Sequence, residues 1–545
     1  MSLRRHAVPP IPTDTARLAS IVCPKGNIYM VLSEKFGETF CQEDFIPLYP
    51  KRGQWALDPV MLLLVVIIQF TEGLSDRQVV EAICTRIDLK YFLRLPLEFT
   101  GFHYSVLSEF RTRLCAAKTD ILAVLFDKFL VVARENGLLK TRKQRTDSTH
   151  VLSVIRRLNR HELIHETMRA TLDDLTVLDR NWLKERIPSE WLDRYQLRVF
   201  NFRLPKTEKA LDDWTRTIAT DGFWLLQQVD QTSDRTQLQD AVANLRRVWE
   251  EQFTSDDNEG PRLRQEKEYI KSPADIIVSP HDTDARFGNK GGQSWPGFKS
   301  QITETYEDGA PHLITDVQTT SSTTTDSEML PIISESLKRR ELKPELHTVD
   351  AGYTANTDVL MNLLDIGINV VGPAKTSSSW QARSENGFDQ SEFRIDWDNC
   401  KVVCPNGVTS IHWSERKNKS ILVGFPRQEC LQCPVRSDCT KSKTGPRTLQ
   451  LQEQSKFTFL SKLREREETS EYKEEYAKRA GIEGTISQFV RRTGIRQSRY
   501  AGLKKTHLQA VASALGINMV RVARWVSGLP LAKTRTSRLQ TFAIA

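Results

Sequence analysis

Three acidic residues carry the chemistry this sequence is equipped for: Asp147 within Arg-Thr-Asp-Ser-Thr-His (145–150), Asp350 within Thr-Val-Asp-Ala-Gly-Tyr (348–353), and Glu483 at the end of Tyr-Ala-Lys-Arg-Ala-Gly-Ile-Glu (476–483). Hard divalent cations prefer oxygen donors, and Mg²⁺ keeps several waters while taking one or two protein carboxylates. Three acids can therefore hold two ions and leave coordination sites open. Two such ions, roughly 3.5–4 Å apart, activate the attacking oxygen and stabilise the leaving oxygen of an in-line phosphoryl displacement. The flanks single these three out, because 69 Asp and Glu residues offer very many acidic triples.

Each flank predicts an element that would position its acid. Asp350 closes a strand-like run (Leu346, Thr348, Val349) and precedes Ala-Gly and an apolar-periodic helix with Val359, Leu360, Leu363 and Leu364. A carboxylate at the C-terminal end of a strand stands where open α/β sheets bind ligands. Glu483 follows Tyr476 and Arg479 by seven and four residues, so one continuous helix would present all three on one face. A solvated charged helix is the competing reading of that segment. Strand character at 300–306 and 312–319, joined by Glu307-Asp308-Gly309-Ala310, signals a hairpin. A helix near 327–342 and a strand at 368–371 follow, and Asp147 is expected on the first core strand.

With those motifs in view the chain resembles the DDE transposases of bacterial insertion sequences, in the subgroup with a helical N-terminal domain and a Cys-rich insert before the catalytic Glu. The resemblance runs from about Asp58 to Ile517. It rests on Asp147-Ser-Thr-His, Asp282-Thr-Asp284-Ala-Arg286, Gly297-Phe-Lys299, Asp350-Ala-Gly-Tyr353 and Gly481-Ile-Glu-Gly-Thr-Ile-Ser-Gln488. The family's Tyr-(2)-Arg-(3)-Glu-(6)-Lys signature falls on Tyr476, Arg479 and Glu483, but its last basic position is 490, which is Val here, with Arg491 and Arg492 next.

The resemblance implies an α/β fold: an RNase H-like mixed sheet interrupted by a helical insert and a Cys-rich β insert, after an all-α N-terminal domain. It implies DNA cleavage and strand transfer at the element's own terminal inverted repeats, with two Mg²⁺ ions (or Mn²⁺) on Asp147, Asp350 and Glu483. Water first nicks DNA, and the 3′-OH so made then attacks target DNA. Tyr476 and Arg479 would position DNA, and Lys299 would contact phosphate or the sheet edge. The basic residues Arg491, Arg492, Arg496, Arg499, Lys504 and Lys505 would bind the DNA backbone. His150 orients a water or phosphate, or is an ordinary hydrogen-bonded His; Asp282 and Asp284 are reserve carboxylates. Pairing two ends calls for a homodimer in the reaction complex. Two rivals are an RNase H-like nuclease without strand transfer and a domesticated zinc-containing DNA-binding protein.

Along 545 residues this predicts a helical DNA-binding domain (1–138), the first core strand (139–150), a helical insert (151–275) and the catalytic core (276–375). After these come a Cys-rich insert (376–455), a core helix bearing Glu483 (456–510) and a basic tail (511–545). The N-terminal helices fit a helix-turn-helix reader, or plain packing and a dimer surface. Residues 255–261 look like a surface loop. From Gly484 onward the chain holds eleven Lys and Arg and no Asp or Glu, against a net charge of +8 overall, which suits salt-dependent phosphate binding.

Of nine cysteines, five lie within 400–439, and Cys430-Leu-Gln-Cys433 has zinc-knuckle spacing. Cys404 and Cys439 would complete a structural Zn²⁺ site, with Cys400 surplus or exchanged for Cys404; reduced cysteines packing a small β insert are the alternative. Trp380 and Trp413 of the insert either stack on a base or pack a core. The longest apolar run, 60–68, is far short of the roughly 20 residues that span a bilayer. A buried helix and a cytoplasmic protein without membrane partner are expected, and no phosphate-loop motif implies a nucleotide cofactor.

Overall fold

The computed structural model describes residues 2–3, 6–198, 204–232, 236–256, 260–290, 292–375, 377, 379–417 and 419–529. The chain divides into two units. One comprises residues up to Lys140, Asp147–Thr324 and the chain from Ile482; the other comprises Thr141–Thr146 and Thr325–Gly481.

The first unit opens with helices, as the apolar periodicity predicts. Pro59–Glu72 starts on an Asp58 side chain that accepts the Val60 N–H at 3.1 Å and stops at Gly73, whose φ is +71°. Val65, Val66, Ile67, Ile68 and Phe70 are buried on all sides, so its apolarity serves a core. No single helix among the described residues is long and apolar enough to cross a membrane. The expected capping box at Ser75 is present, with Gln78, at the head of Asp76–Thr85, and Leu107, Phe110 and Leu114 face inward from Ser105–Ala116.

Residues 511–526, expected in a basic tail, instead belong to the buried helix Leu503–Val526. Gly516 is what allows its close packing on Pro59–Glu72, because a Cβ there would stand 2.0 Å from Thr71 Oγ1. Asn518 clasps the Ile314 backbone, accepting its N–H and donating to its carbonyl, both at 2.8 Å. The charge count that suggested a tail was correct, but the apolar residues between the charges decide the element. Lys533, Arg535 and Arg538 lie outside the described residues.

The first unit's strands are organised around Gln293–Thr305. Residues 293–297 pair antiparallel with Arg286–Lys290 and 298–304 with Ile314–Ser321, with a register shift at Thr303/Glu304. The expected hairpin at 307–310 joins the second pair, with Gly309 at φ +74°. The strand Lys143–Leu152 is the other neighbour of Gln293–Thr305. Gly297 is forced: its φ is +153° and a Cβ would meet Val151 O at 2.1 Å. The helical insert has its own core, built on Trp182, Trp191 and Trp249. Residues 255–256 and 260–261, expected in a surface loop, instead pair as the inner part of a small hairpin, Phe253–Asp256 with Gly260–Leu263; residues 257–259 lie outside the described residues.

In the second unit the opening residues of the same strand, 143–145, pair in parallel with Leu346–Thr348, which pairs in parallel with Asn369–Val371. The helices Asp326–Arg339 and Thr357–Asp365 stand where the sequence places them. The Cys-rich insert holds the antiparallel pair Arg394–Asp396 and Lys401–Val403, and a three-stranded sheet of His412–Glu415, Ile421–Gly424 and Thr448–Leu451. Its core is small: Phe393, Val402, Ile421, Val423, Phe425, Leu449 and Leu451.

Candidate active site

In the first unit Asp147 and Glu483 line one open cleft of about 540 Å³. Asp147 stands on the Lys143–Leu152 strand, its Oδ1 accepting the Ser148 N–H at 2.7 Å. Glu483 is in the first turn of the helix Gly481–Gln488. Ile482, Thr485 and Ile486 of that helix point inward and leave Glu483 exposed. The cations of the same cleft are Lys290, Lys299, Arg491 and Arg496. Lys299 donates to Thr324 O at 2.9 Å, and Arg496 Nε reaches Thr149 Oγ1 at 3.5 Å. Two carboxylates among four cations are an arrangement for holding cations at the acids while phosphates rest on the bases.

His150 lies against Trp295, ring centroids 5.4 Å apart. Burial pushes its pKa below the usual value, and the charges of Arg496 and Lys290 push it further. The ring is therefore neutral near pH 7, with one nitrogen able to accept and the other to donate.

The helix that carries Glu483 is fixed from behind. Glu304, fully buried, accepts Thr485 Oγ1–H at 2.5 Å and Arg521 NH1 at 2.7 Å. Arg521 also donates to Thr485 Oγ1, to Gln488 Oε1 and, at 2.6 Å, to His312 O. The expected basic tail includes Arg521, so the sequence reading lacks this network; Glu304 within the Ile-Thr-Glu-Thr end (302–305) of its strand is the available signal.

One continuous helix from Tyr476 to Glu483 is not formed. Ser470–Ala477 gives way to a 3₁₀ turn at Lys478–Ala480 before Gly481–Gln488 begins. The next turn, Phe489–Thr493, is a π-helix, and this bears on the displaced signature. A π turn takes up an extra residue, so Arg491, eight positions past Glu483, comes round where an unbroken α-helix would bring position 490. Arg491 lines the cleft, beside Val490. Arg492 does not line it, and its Nε donates to Thr71 O at 2.9 Å. Arg499 lies over the Phe70 ring and donates to Leu74 O at 2.5 Å. Lys504 and Lys505 begin Leu503–Val526 and are not cleft residues. The expected DNA-binding set thus separates into cleft residues (Lys299, Arg491, Arg496) and residues of the helical packing (Arg492, Arg499). Of the reserve carboxylates, Asp282 is buried and accepts Ser153 Oγ–H, and Asp284 accepts the Leu503 N–H; neither lines the cleft.

In the second unit Asp350 follows the Leu346–Thr348 strand, as expected, and its Oδ1 accepts the Gly352 N–H at 2.9 Å. A Cβ on Gly352 would lie 3.1 Å from both Asp350 Oδ1 and Asp326 Oδ2. Asp326 is therefore a second carboxylate beside Asp350. Sequence reading saw only a helix there, although Thr325-Asp-Ser-Glu328 forms a capping box that fixes where the helix begins. Beneath, Thr146 Oγ1 and the buried His347 Nε2 are 2.7 Å apart. Tyr476 stacks on Tyr472, and the Arg479 guanidinium lies 5.8 Å from the Tyr476 ring centre.

Of the cysteines, Cys404, Cys430, Cys433 and Cys439 line one small cavity, and Cys400, which is exposed, does not. Trp413 packs edge-on to Trp397 in the core of the insert, and Lys441 Nζ lies 4.8 Å from the Trp380 ring centre. Among the described residues, no three or more His, Cys, Asp and Glu side chains are gathered as a metal-holding group.

Two family models match the chain: a transposase DDE domain over residues 403–523 and a transposase domain of the DUF772 type over residues 18–113. The first span contains Glu483 but neither Asp147 nor Asp350. A DDE domain implies an RNase H-like fold, which the mixed α/β architecture accommodates. No curated protein and no solved structure matches.

Proposed function

We propose a reaction for this chain, which is a transposase with a DDE domain and an N-terminal transposase domain: metal-dependent cleavage and strand transfer at the terminal inverted repeats of its own element. The observation that carries the reading is the cleft in which Asp147 and Glu483 lie among Lys290, Lys299, Arg491 and Arg496. Asp147, Glu483 and Asp350 are the acids assigned to the reaction. Their donors are all carboxylate oxygens, which suits Mg²⁺ or Mn²⁺. When bound, such ions polarise the attacking and leaving oxygens of a phosphodiester.

The chain's own residues do the rest. Lys299, Arg491 and Arg496 hold the DNA backbone and offset phosphate charge as the reacting phosphorus approaches the acids. His150, neutral at pH 7, accepts a hydrogen bond from water or donates one to a phosphate oxygen. In the first reaction water attacks phosphorus and the 3′ oxygen leaves, giving a 3′-OH and a 5′-phosphate. In the second that 3′-OH attacks a target phosphodiester, so one bond forms as one breaks and no external energy source is needed. Tyr476 and Arg479 position the end, and a second copy of the chain brings the other end.

The test is a labelled element end with a target plasmid, in Mg²⁺, with full-length protein. Wild type should give both nicked ends and joined products. Asp147→Asn and Glu483→Gln should lose both while retaining end binding in a gel-shift assay. Cleavage without joined products would identify a nuclease, and undiminished cleavage by Glu483→Gln would remove Glu483 from the site.

A further inference from the structure

The insert contains a feature the strand-transfer reading leaves unused. Cys404, Cys430, Cys433 and Cys439 come from a strand end and two short helices, yet line a single cavity of about 30 Å³. That is room for one small ion, given that a single water needs about 10–15 Å³ on such a measure. The helices Arg427–Gln432 and Arg436–Cys439 have six and four residues and bury no side chain. Helices this short do not stand alone in water. Length does not account for them, and their apolar contact with the insert core is limited to Cys430 and Cys439.

Cys404 sits in a turn shaped to present its sulfur. In Cys404-Pro-Asn-Gly-Val408 the Val408 N–H donates to Cys404 Sγ at 3.3 Å and the Gly407 N–H donates to Cys404 O at 2.9 Å, with Gly407 at φ +84°. Positive charge stands alongside. Arg447 lines the cavity, and its buried Nε makes no hydrogen bond. Arg436 lines it too and donates to Cys430 O, Ser442 O and Gly445 O, tying the loop to the first helix. Four thiolates around a divalent ion carry a net charge of −2, which these guanidiniums offset. Cys400, outside the cavity at φ +51°, is excluded from the set.

We propose that Cys404, Cys430, Cys433 and Cys439 bind one structural Zn²⁺ that fastens the two short helices to the Lys401–Val403 hairpin. Four S–H protons pass to solvent as four Zn–S bonds form, each about 2.3 Å. Binding requires the four sulfurs to close to ligand distance, since among the described residues they are not gathered as a metal-holding group. The assignment does not depend on the carboxylate chemistry, and Glu483→Gln keeps its zinc.

The experiment is elemental analysis of full-length protein expressed with added zinc and dialysed against metal-free buffer, with Cys400→Ser, Cys430→Ser and Cys433→Ser alongside. Wild type and Cys400→Ser should hold about one zinc per chain, and the other two far less. Should the cavity variants fail to fold, wild type reconstituted with Co²⁺ decides: intense sulfur-to-cobalt charge transfer with tetrahedral ligand-field bands is the expected spectrum. Zinc-free wild type, loss of zinc from Cys400→Ser equal to that from Cys433→Ser, or a cobalt spectrum without sulfur charge transfer would each overturn the proposal.

Discussion

Removing Arg521 should be among the most damaging single changes in the first unit, although it lies in the stretch whose composition suggests a solvated basic end. Its side chain is 11 % exposed and that of its partner Glu304 is 0 % exposed, with NH1 and Oε2 2.7 Å apart. Arg521→Ala leaves Glu304 buried without its guanidinium partner, and takes Arg521 N–H donors away from Thr485 Oγ1, His312 O and Gln488 Oε1. Breaking a buried pair by deleting one partner costs about 3–5 kcal/mol, whereas replacing both with apolar groups of similar volume is often neutral. Arg521→Ala should therefore lower stability by about that amount, and Glu304→Leu/Arg521→Met by far less than the two single changes added together. For a unit larger than 250 residues, at roughly 2 °C per kcal/mol, the single variant should melt about 6–10 °C lower. Differential scanning calorimetry at one scan rate measures this. Thr485 is two residues from Glu483 on one short helix, so the double variant tests function as well. If it melts near wild type yet joins ends poorly, the network positions Glu483 in addition to stabilising the unit. A drop below about 1 kcal/mol for Arg521→Ala, or strict additivity in the double variant, would refute the reasoning.

Gly297→Ala should destabilise by at least about 2 kcal/mol, because φ is +153° and the new Cβ would meet backbone atoms at 151 and 153 that cannot yield; a shift in thermal midpoint reports it. Gly352→Ala should fold, since φ is −64° there, yet its methyl would press on Asp326 and Asp350; strand transfer should fall with the melting temperature kept, and full activity would count against a functional role for that pair. Arg491→Ala should weaken joining more than Arg492→Ala does, and the reverse order in a strand-transfer assay would refute the π-turn argument. Burial pushes the His347 pKa down to about 4. The unfolded chain then binds the proton more readily between about pH 6.5 and 4, so stability is complete above that window and falls as pH drops through it, by about 3 kcal/mol at the bottom. His347→Gln should flatten that part of the stability profile measured by urea unfolding, and an unchanged profile would assign the acid sensitivity elsewhere.

What could be read in advance follows from which forces act locally. Capping boxes, apolar periodicity and the 307–310 turn are decided by a few neighbouring residues, and the helices at 59–72, 76–85 and 326–339 and the hairpin stand where those residues predict. Asp147 on its strand, Asp350 after its strand and Glu483 on a helix were legible for the same reason. The misses arise where a contact distant in sequence overrides a local cue. Eleven positive charges after Gly484 read as a solvated end, but Gly516 against Thr71 and Asn518 against Ile314 draw 511–526 into the core. Asp326 gave no signal as a partner of Asp350, because only the glycine between them, 26 residues further along the chain, leaves room for both carboxylates. The displaced basic residue shows the limit most clearly. Counting residues at α-helical spacing places Val490 at the signature position, and no rule of propensity marks 489–493 as a π turn. With the wider turn Arg491 lines the cleft beside Val490, and Arg492 anchors the helix to Thr71 O. Deletion of Val490, which removes the extra residue, should keep Arg491 at the cleft and preserve joining in a strand-transfer assay, and loss of joining by a variant that still folds would refute the argument.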